Sequence, residues 1–262
     1  MSMKKPVSKA SGFALPIGST ILNEGINFSI FSRHATGITL IINLPETARL
    51  PAQQVEINLH PKVNRTGDLW HILLKTDRQD LTYGYRIQGP ATKETNGLVY
   101  DDQTLLLDPA CHSHRPRAWG EKPAALDSPH CQIISHDFDW QDDQPLNIPL
   151  AESIIYELHV RGFTQHNSSN VTRPGTYQGI IEKIPYLQAL GVTAVELMPV
   201  TEFDENDNIF RHPVSGKPLK NFWGYNPLSF FALKSGYAGD QRQHINEFKA
   251  MVLALHLSLI QH

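Results

Sequence analysis

An antiparallel, immunoglobulin-like β-sandwich followed by an incomplete α/β barrel of the TIM type is the fold class this sequence predicts, and three observations predict it. From Gly25 to about Pro109 the chain alternates apolar and polar residues in short runs broken by Gly, Pro and Asn. Such runs, 7 to 8 residues long with turn signals between them, are the pattern of a sandwich. From Ala151 to Val200 two short apolar runs flank a helical period, and a crossover helix implies parallel pairing in a right-handed βαβ unit. The stretch from 151 to the end holds 262 − 150 = 112 residues, whereas a closed eight-stranded barrel takes about 250.

In the first region "GINFSIFS" sets Ile26, Phe28 and Ile30 against Asn27 and Ser29, and "GITLIIN", "QQVEINLH", "LWHILLKT" and "TYGYRIQ" follow. Trp70, Ile72 and Leu74 share one parity, as do Tyr83, Tyr85 and Ile87 on the next run. Aromatic residues on a small β module invite sugar stacking, which brings Trp70, Tyr83, Tyr85 and Tyr100 forward. Their register with Ile72, Leu74 and Ile87 instead turns most of them inward, and Trp70 is expected in the core.

The domain boundaries expected are 1–110 for the sandwich, 111–150 for an extended Pro-rich linker, and 151–262 for the barrel portion. The linker holds Pro109, Pro116, Pro123, Pro129, Pro145 and Pro149 in or beside it, with little periodicity. It also holds Cys111, His112, His114, His130 and Cys131. Their spacing fits none of the paired-ligand patterns of structural zinc sites, so no metal is expected and the two cysteines are read as reduced structural thiols.

In the first barrel run Glu157, His159 and Arg161 fall on one parity and Tyr156, Leu158 and Val160 on the other, which suits a strand with one polar face. A helix is predicted from about Tyr177 to Leu190, with Gly191 as its C-terminal cap. After the second strand the acidic run Glu202, Asp204, Glu205, Asp207 lacks the ligand ladder and glycine of a calcium loop and reads as a solvated loop. Asp240 is a suitable N-cap for a last helix with Ile245, Phe248, Met251, Val252 and Leu255 on one face.

A net charge of −3 without long single-sign blocks argues against nucleic acid or an acidic membrane surface as partner. The N-terminal "MSMKKPVSKASGFALPIGS" has no apolar run of signal-peptide length, and no stretch approaches membrane-spanning length. A cytoplasmic location is the expectation.

Several motifs in order carry a resemblance. "IIYELHVRGFT", "GTYQGIIEKIPYLQALGVTAVELMPV", "NFWGYNPLSFFAL" and "INEFKAMVLALH" resemble the start of the catalytic barrel in glycoside hydrolase family 13, in its isoamylase and glycogen-debranching group. "PIGST", "TGDLWHILL", "YGYRIQGP" and "LLLDPA" resemble the family 48 carbohydrate-binding module that precedes it. The resemblance implies hydrolysis of α-1,6 branch linkages in glycogen or a related branched α-glucan, without a cofactor. It also implies a retaining mechanism using an aspartate, a glutamate and a second aspartate after barrel strands four, five and seven. Two of these carboxyl groups must lie about 5–5.5 Å apart across the scissile bond. The expectation is that the chain stops before strand three, that "LSLIQH" departs from the family pattern, and that no catalytic carboxylate is present.

Residue by residue, the resemblance carries over Tyr225 of "FWGYNP" as an aromatic that stacks on the sugar ring, with Trp223 of the same motif as a second candidate. Glu157 and Glu196 lie on strands expected to be neighbours, but inside the strands and not at the loop ends where barrel chemistry occurs. A polar layer or an ion pair with Arg161 accounts for them more simply. A non-catalytic glucan-binding or scaffolding fragment is the alternative.

Overall fold

The structure, a computed structural model, describes residues 8–46, 51–90, 92, 96–122, 131–135 and 137–261. They form two compact units. The first comprises residues 8–115 and 131–135, and the second residues 116–122 and 137–261.

The first unit is two antiparallel sheets. One has strand order β1 (Ser8–Ala10), β7 (Leu69–Lys75), β3 (Gly25–Phe31), β2 (Gly18–Leu22), with β6 (Arg65–Thr66) also paired to β7. The other runs β5 (Gln53–Leu59), β4 (Gly37–Leu44), β8 (Thr82–Gln88), β9 (Cys131–Gln132). Ile26, Phe28, Ile30, Trp70, Ile72 and Leu74 meet Ile38, Leu40, Ile42, Tyr83, Tyr85 and Ile87 in one core, as period-two patterning requires. Trp70 is fully buried, and its indole N–H donates to the Ser32 carbonyl at 3.1 Å. Tyr83 and Tyr85 are buried with it, and Tyr100 packs against the cluster.

The polar parity of β3 is buried too. The Asn27 side chain exchanges two hydrogen bonds with the Phe13 backbone, at 2.8 and 2.9 Å, and the Ser29 hydroxyl donates to the Ala14 carbonyl at 2.6 Å. The segment after β1 thus covers the outer face of the sheet and satisfies side chains that alternation would leave in water.

The expected linker 111–150 is not one connection. Residues 111–115 and 131–135 belong to the sandwich, where β9 extends a sheet, while residues 116–122 and 137–150 belong to the second unit. Pro-rich composition identified irregular backbone but not which core it packs on.

In the second unit β10 (Ile155–Leu158) and β11 (Ala194–Leu197) pair in parallel, with Ile155 beside Ala194 and Glu157 beside Glu196. The first run is shorter than expected. After Leu158 the chain enters helix α1 (Val160–Thr164), capped by His159, whose side chain accepts from the Gly162 N–H. Arg161 therefore sits on a helix rather than sharing a strand face with Glu157, and its guanidinium lies 4.7 Å over the Trp119 ring.

The expected helix 177–190 is two, α2 (Tyr177–Glu182) and α3 (Ile184–Ala189), broken at Lys183. Pro185 has no N–H to give to the carbonyl of residue 181, and its ring crowds that carbonyl, so the helix restarts there. Gly191, at φ +77°, ends α3 as expected. The Val192 N–H reaches the Leu187 carbonyl and the Gly191 N–H the Gln188 carbonyl, the paired bonds of a Schellman cap.

Asp240 caps a short 3₁₀ turn, accepting from the Arg242 N–H at 3.0 Å, and α4 (His244–Leu257) follows. Met251, Val252 and Leu255 are buried against Leu158, Tyr177, Ile180 and Val195. After α4 the described residues form no third strand, but one isolated bridge joins the sheet. Leu259 turns at φ +58°, Ile260 is buried, and Gln261 forms a parallel bridge with Ala194. The Gln261 carbonyl accepts from the Val195 N–H and its own N–H donates to the Thr193 carbonyl, each at 2.8 Å, so one residue pairs with the open side of β11.

Candidate functional site

The loop from Thr201 to Gly239 carries both candidate sugar-contacting residues, and its shape rests on a buried ion cluster. The Lys234 ammonium donates to Glu202 Oε1 at 2.8 Å, Glu205 Oε2 at 2.7 Å and the Phe203 carbonyl at 2.7 Å. Its three protons are all used. Glu202 Oε2 accepts from the N–H and hydroxyl of Ser235, at 3.0 and 2.9 Å, and Glu205 accepts from the Gly120 N–H. Arg117 donates to the Phe203 carbonyl at 2.9 Å and to Asp204 at 3.2 Å.

Glu202, Glu205 and Lys234 have at most 1% of their surface exposed, which corrects the reading of the acidic run as a solvated loop. A buried carboxylate survives only with paired charge and hydrogen bonds. Burial pushes the Glu202 carboxyl up, but the Lys234 charge and hydrogen bond, the Ser235 N–H and Arg117 outweigh it and hold the group below the usual range. Asp204 is likewise held down, its burial outweighed by hydrogen bonds from Asn206 and Arg117.

A second set of contacts fixes the "FWGYNP" segment. His159 Nδ1 accepts from Gly162, so Nε2 carries the proton of the neutral ring and donates to the Phe222 carbonyl at 2.8 Å. The Tyr237 hydroxyl lies 3.1 Å from the same nitrogen. The imidazole stacks on Phe222 with centroids 4.3 Å apart and meets Trp223 edge-on at 5.8 Å. Burial, which outweighs the Phe222 hydrogen bond, keeps the His159 pKa below its ordinary value, in agreement with a neutral ring.

Gly224 follows at φ +81°, and a Cβ there would lie 2.7 Å from the Phe203 ring, so only glycine fits. Pro227 then bridges Phe203, and the Leu228 N–H donates to the Glu202 carbonyl at 2.8 Å. The result is a fixed backbone that presents Trp223 54% and Tyr225 68% exposed. Two large aromatic faces held out to solvent on a rigid loop can stack on an apolar sugar face.

Glu157 and Glu196 do sit side by side, as register partners with exposed side chains on the sheet face opposite the helices. They lie within the strands, and the ion pair expected with Arg161 gives way to the Arg161–Trp119 contact. Of the linker residues, Cys111, His114 and Cys131 come together in the sandwich with ligand atoms within 4.8 Å of one another; His112 is outside this group and His130 lies outside the described residues.

The sequence reading missed Lys234, His159 and Tyr237 as the residues that hold the loop. The available signal was a lone lysine in the apolar run "SFFALKSGYA", which a buried partner of opposite charge would explain.

Residues 16–110 match the family model for carbohydrate-binding module 48, the isoamylase N-terminal domain, and residues 157–254 match that for the alpha-amylase catalytic domain. The two units are thus a carbohydrate-binding-type sandwich and the opening of an α-amylase-type domain. Isoamylase 1, chloroplastic, of Arabidopsis thaliana is 36% identical over 258 residues, covering 94% of this chain and 33% of the relative. A glycogen debranching enzyme of Klebsiella pneumoniae is 33% identical over 278 residues, covering 97% of this chain and 39% of the relative. Over nearly its whole length the chain is similar to members of the isoamylase and glycogen-debranching group of glycoside hydrolases, and it spans about a third of the length of these relatives.

Among solved structures, a pullulanase of Paenibacillus barengoltzii in complex with maltohexaose and alpha-cyclodextrin superposes with a TM-score of 0.71 at 19% identity, over 96% of this chain and 37% of that one. A group B streptococcal pullulanase with maltotetraose gives 0.65 at 22%, over 95% and 33%. At these identities the likeness shows a shared fold.

Proposed function

We propose that this chain serves in the debranching of an α-glucan, as part of an enzyme that hydrolyses α-1,6 branch linkages in glycogen or a related polymer. The observation that carries the reading is the pairing, in one chain, of a module-48 sandwich with a βαβ opening whose rigid loop presents Trp223 and Tyr225. Curated debranching relatives align over nearly the whole of this chain. In this reading Tyr225 and Trp223 stack on glucose units beside the branch, and the sandwich serves as a glucan-binding module.

The retaining chemistry needs two carboxyl groups about 5–5.5 Å apart at strand ends. Glu157 and Glu196, inside β10 and β11, are not placed for it, so this polypeptide by itself is expected to bind glucan without cleaving it. Disrupting the gene that encodes the chain tests the function directly: the cell's storage glucan should gain short outer branches. An unchanged branch-length distribution overturns the proposal.

The alternative, a glucan-binding chain without a catalytic role, is favoured by the same pair of exposed aromatics. Co-sedimentation with glycogen, combined with an assay for released reducing ends, separates the two readings from a chain that does neither.

A further inference from the structure

The sandwich holds a cluster that the glucan reading does not use. Cys111, His114 and Cys131 are all buried, and one ligand atom from each lies within 4.8 Å of the other two. The cluster is built by backbone, not by chance rotamers. Residues 114 and 131 face each other across an antiparallel bridge, locked by the Gln132 N–H on the Ser113 carbonyl at 2.7 Å. Cys111 lies three residues before His114, and its S–H donates to that same Ser113 carbonyl at 2.8 Å, a bond the thiol gives up when it loses its proton to bind a metal.

The separation of these atoms, none more than 4.8 Å from another, is compatible with a shared metal ion. Two thiolates and an imidazole around tetrahedral zinc sit at about 2.3 and 2.0–2.1 Å from the ion, which sets them roughly 3.5–3.8 Å apart. A disulfide needs its sulfurs at about 2.05 Å, and both cysteines here are free thiols. We propose that Cys111, His114 and Cys131 form a zinc site that clips the segment after Leu107 to β9.

Charge favours a divalent ion. Zn²⁺ takes up both sulfurs as thiolates while their two protons leave to solvent, so the buried set of two negative sulfurs, one dication and a neutral imidazole sums to zero. Burying a neutral set avoids the cost of an unpaired interior charge. The Asp108 N–H donates to Cys131 Sγ at 3.3 Å, an outer-sphere contact of the kind that orients metal ligands. Sequence spacing hid the site because the ligands come from two stretches 20 residues apart, Cys111 to Cys131, and the third is a histidine set by strand pairing.

The test is titration of the full, reduced, metal-free chain with Co²⁺ under anaerobic conditions, followed by Zn²⁺ competition. One equivalent should give a thiolate-to-cobalt charge-transfer band and the visible bands of a tetrahedral site, and Zn²⁺ should bleach them. Zn²⁺ should also shield both thiols from alkylation and raise the melting temperature by several degrees, as a ligand of the folded state does. Cys111→Ser and His114→Gln should each abolish the charge-transfer band or weaken binding at least tenfold. Thiol shielding in the unmutated chain gives the answer even if a variant fails to fold. No charge-transfer band with thiols that alkylate at the same rate with and without Zn²⁺, or conversion to a 111–131 disulfide in place of metal uptake, overturns the proposal.

Discussion

Lys234 shows how much one residue can decide. It is a fully buried ammonium whose three protons reach Glu202, Glu205 and the Phe203 carbonyl, and it lies 4.5 Å over the Phe203 ring. Lys234→Met fills the space but leaves the two buried carboxylates, among the described residues, with Arg117 as the one neighbouring cation, 3.7 and 3.8 Å away. It should cost about 3–5 kcal/mol, read as a lower denaturation midpoint. A variant as stable as the parent would mean the cluster is solvated in solution. At the exposed end of the same loop, Tyr225→Ala should weaken glycogen binding roughly fivefold to tenfold, on the order of 1 kcal/mol for one ring face removed from water. Unchanged co-sedimentation would remove Tyr225 from the binding surface.

Helix ends show where local rules held and where they met competition. The C-terminus of α3 uses Gly191 as expected, but the matching cap of α4 places Leu259 in the left-handed region at φ +58°. The Ile260 N–H still reaches the Leu255 carbonyl at 2.9 Å, and Leu259 is 71% exposed. A β-carbon in that conformation costs about 1–2 kcal/mol. Leu259→Gly should therefore raise stability by about 0.5–1 kcal/mol after the greater freedom of an unfolded glycine is counted, measurable as a higher midpoint in urea.

At α1 the His159 ring must stay neutral, because Nδ1 accepts from Gly162. Its pKa, and that of His244, are held below 6.5 by burial. Below that pH the unfolded chain takes up protons that the folded chain refuses, so stability falls as pH drops from about 6.5 toward the folded pKa values. Glu202, held below its ordinary 4.5 by Lys234 against its own burial, adds stability above that pH, lost on further acidification. Denaturation midpoints at pH 7.5, 5.5 and 4 should decline in that order, and a flat profile would contradict the neutral, buried state of the two imidazoles.

For the whole molecule, two units each with its own core account for a chain in which the first half is read by period two and the second by a strand–helix–strand pattern. The chain alone should co-sediment with glycogen and release no reducing ends. Turnover abolished by Glu157→Gln or Glu196→Gln would show that the exposed strand pair works as a catalytic dyad after all.

Alternation and helical period determined the sandwich core, the parallel βαβ unit and the burial of Trp70, because those features follow from which side chains leave water on one face of one element. The resemblance of "FWGYNP" to a family motif, not any local rule, brought Trp223 and Tyr225 forward, and both side chains are exposed. Tertiary structure decided the rest. It turned the acidic run inward onto Lys234 and Arg117, seated Gln261 beside β11, divided the Pro-rich stretch between two cores, and gathered Cys111, His114 and Cys131. Each depends on a partner distant in sequence, and an unpaired polar group reveals neither where its partner lies nor whether burial will be offset.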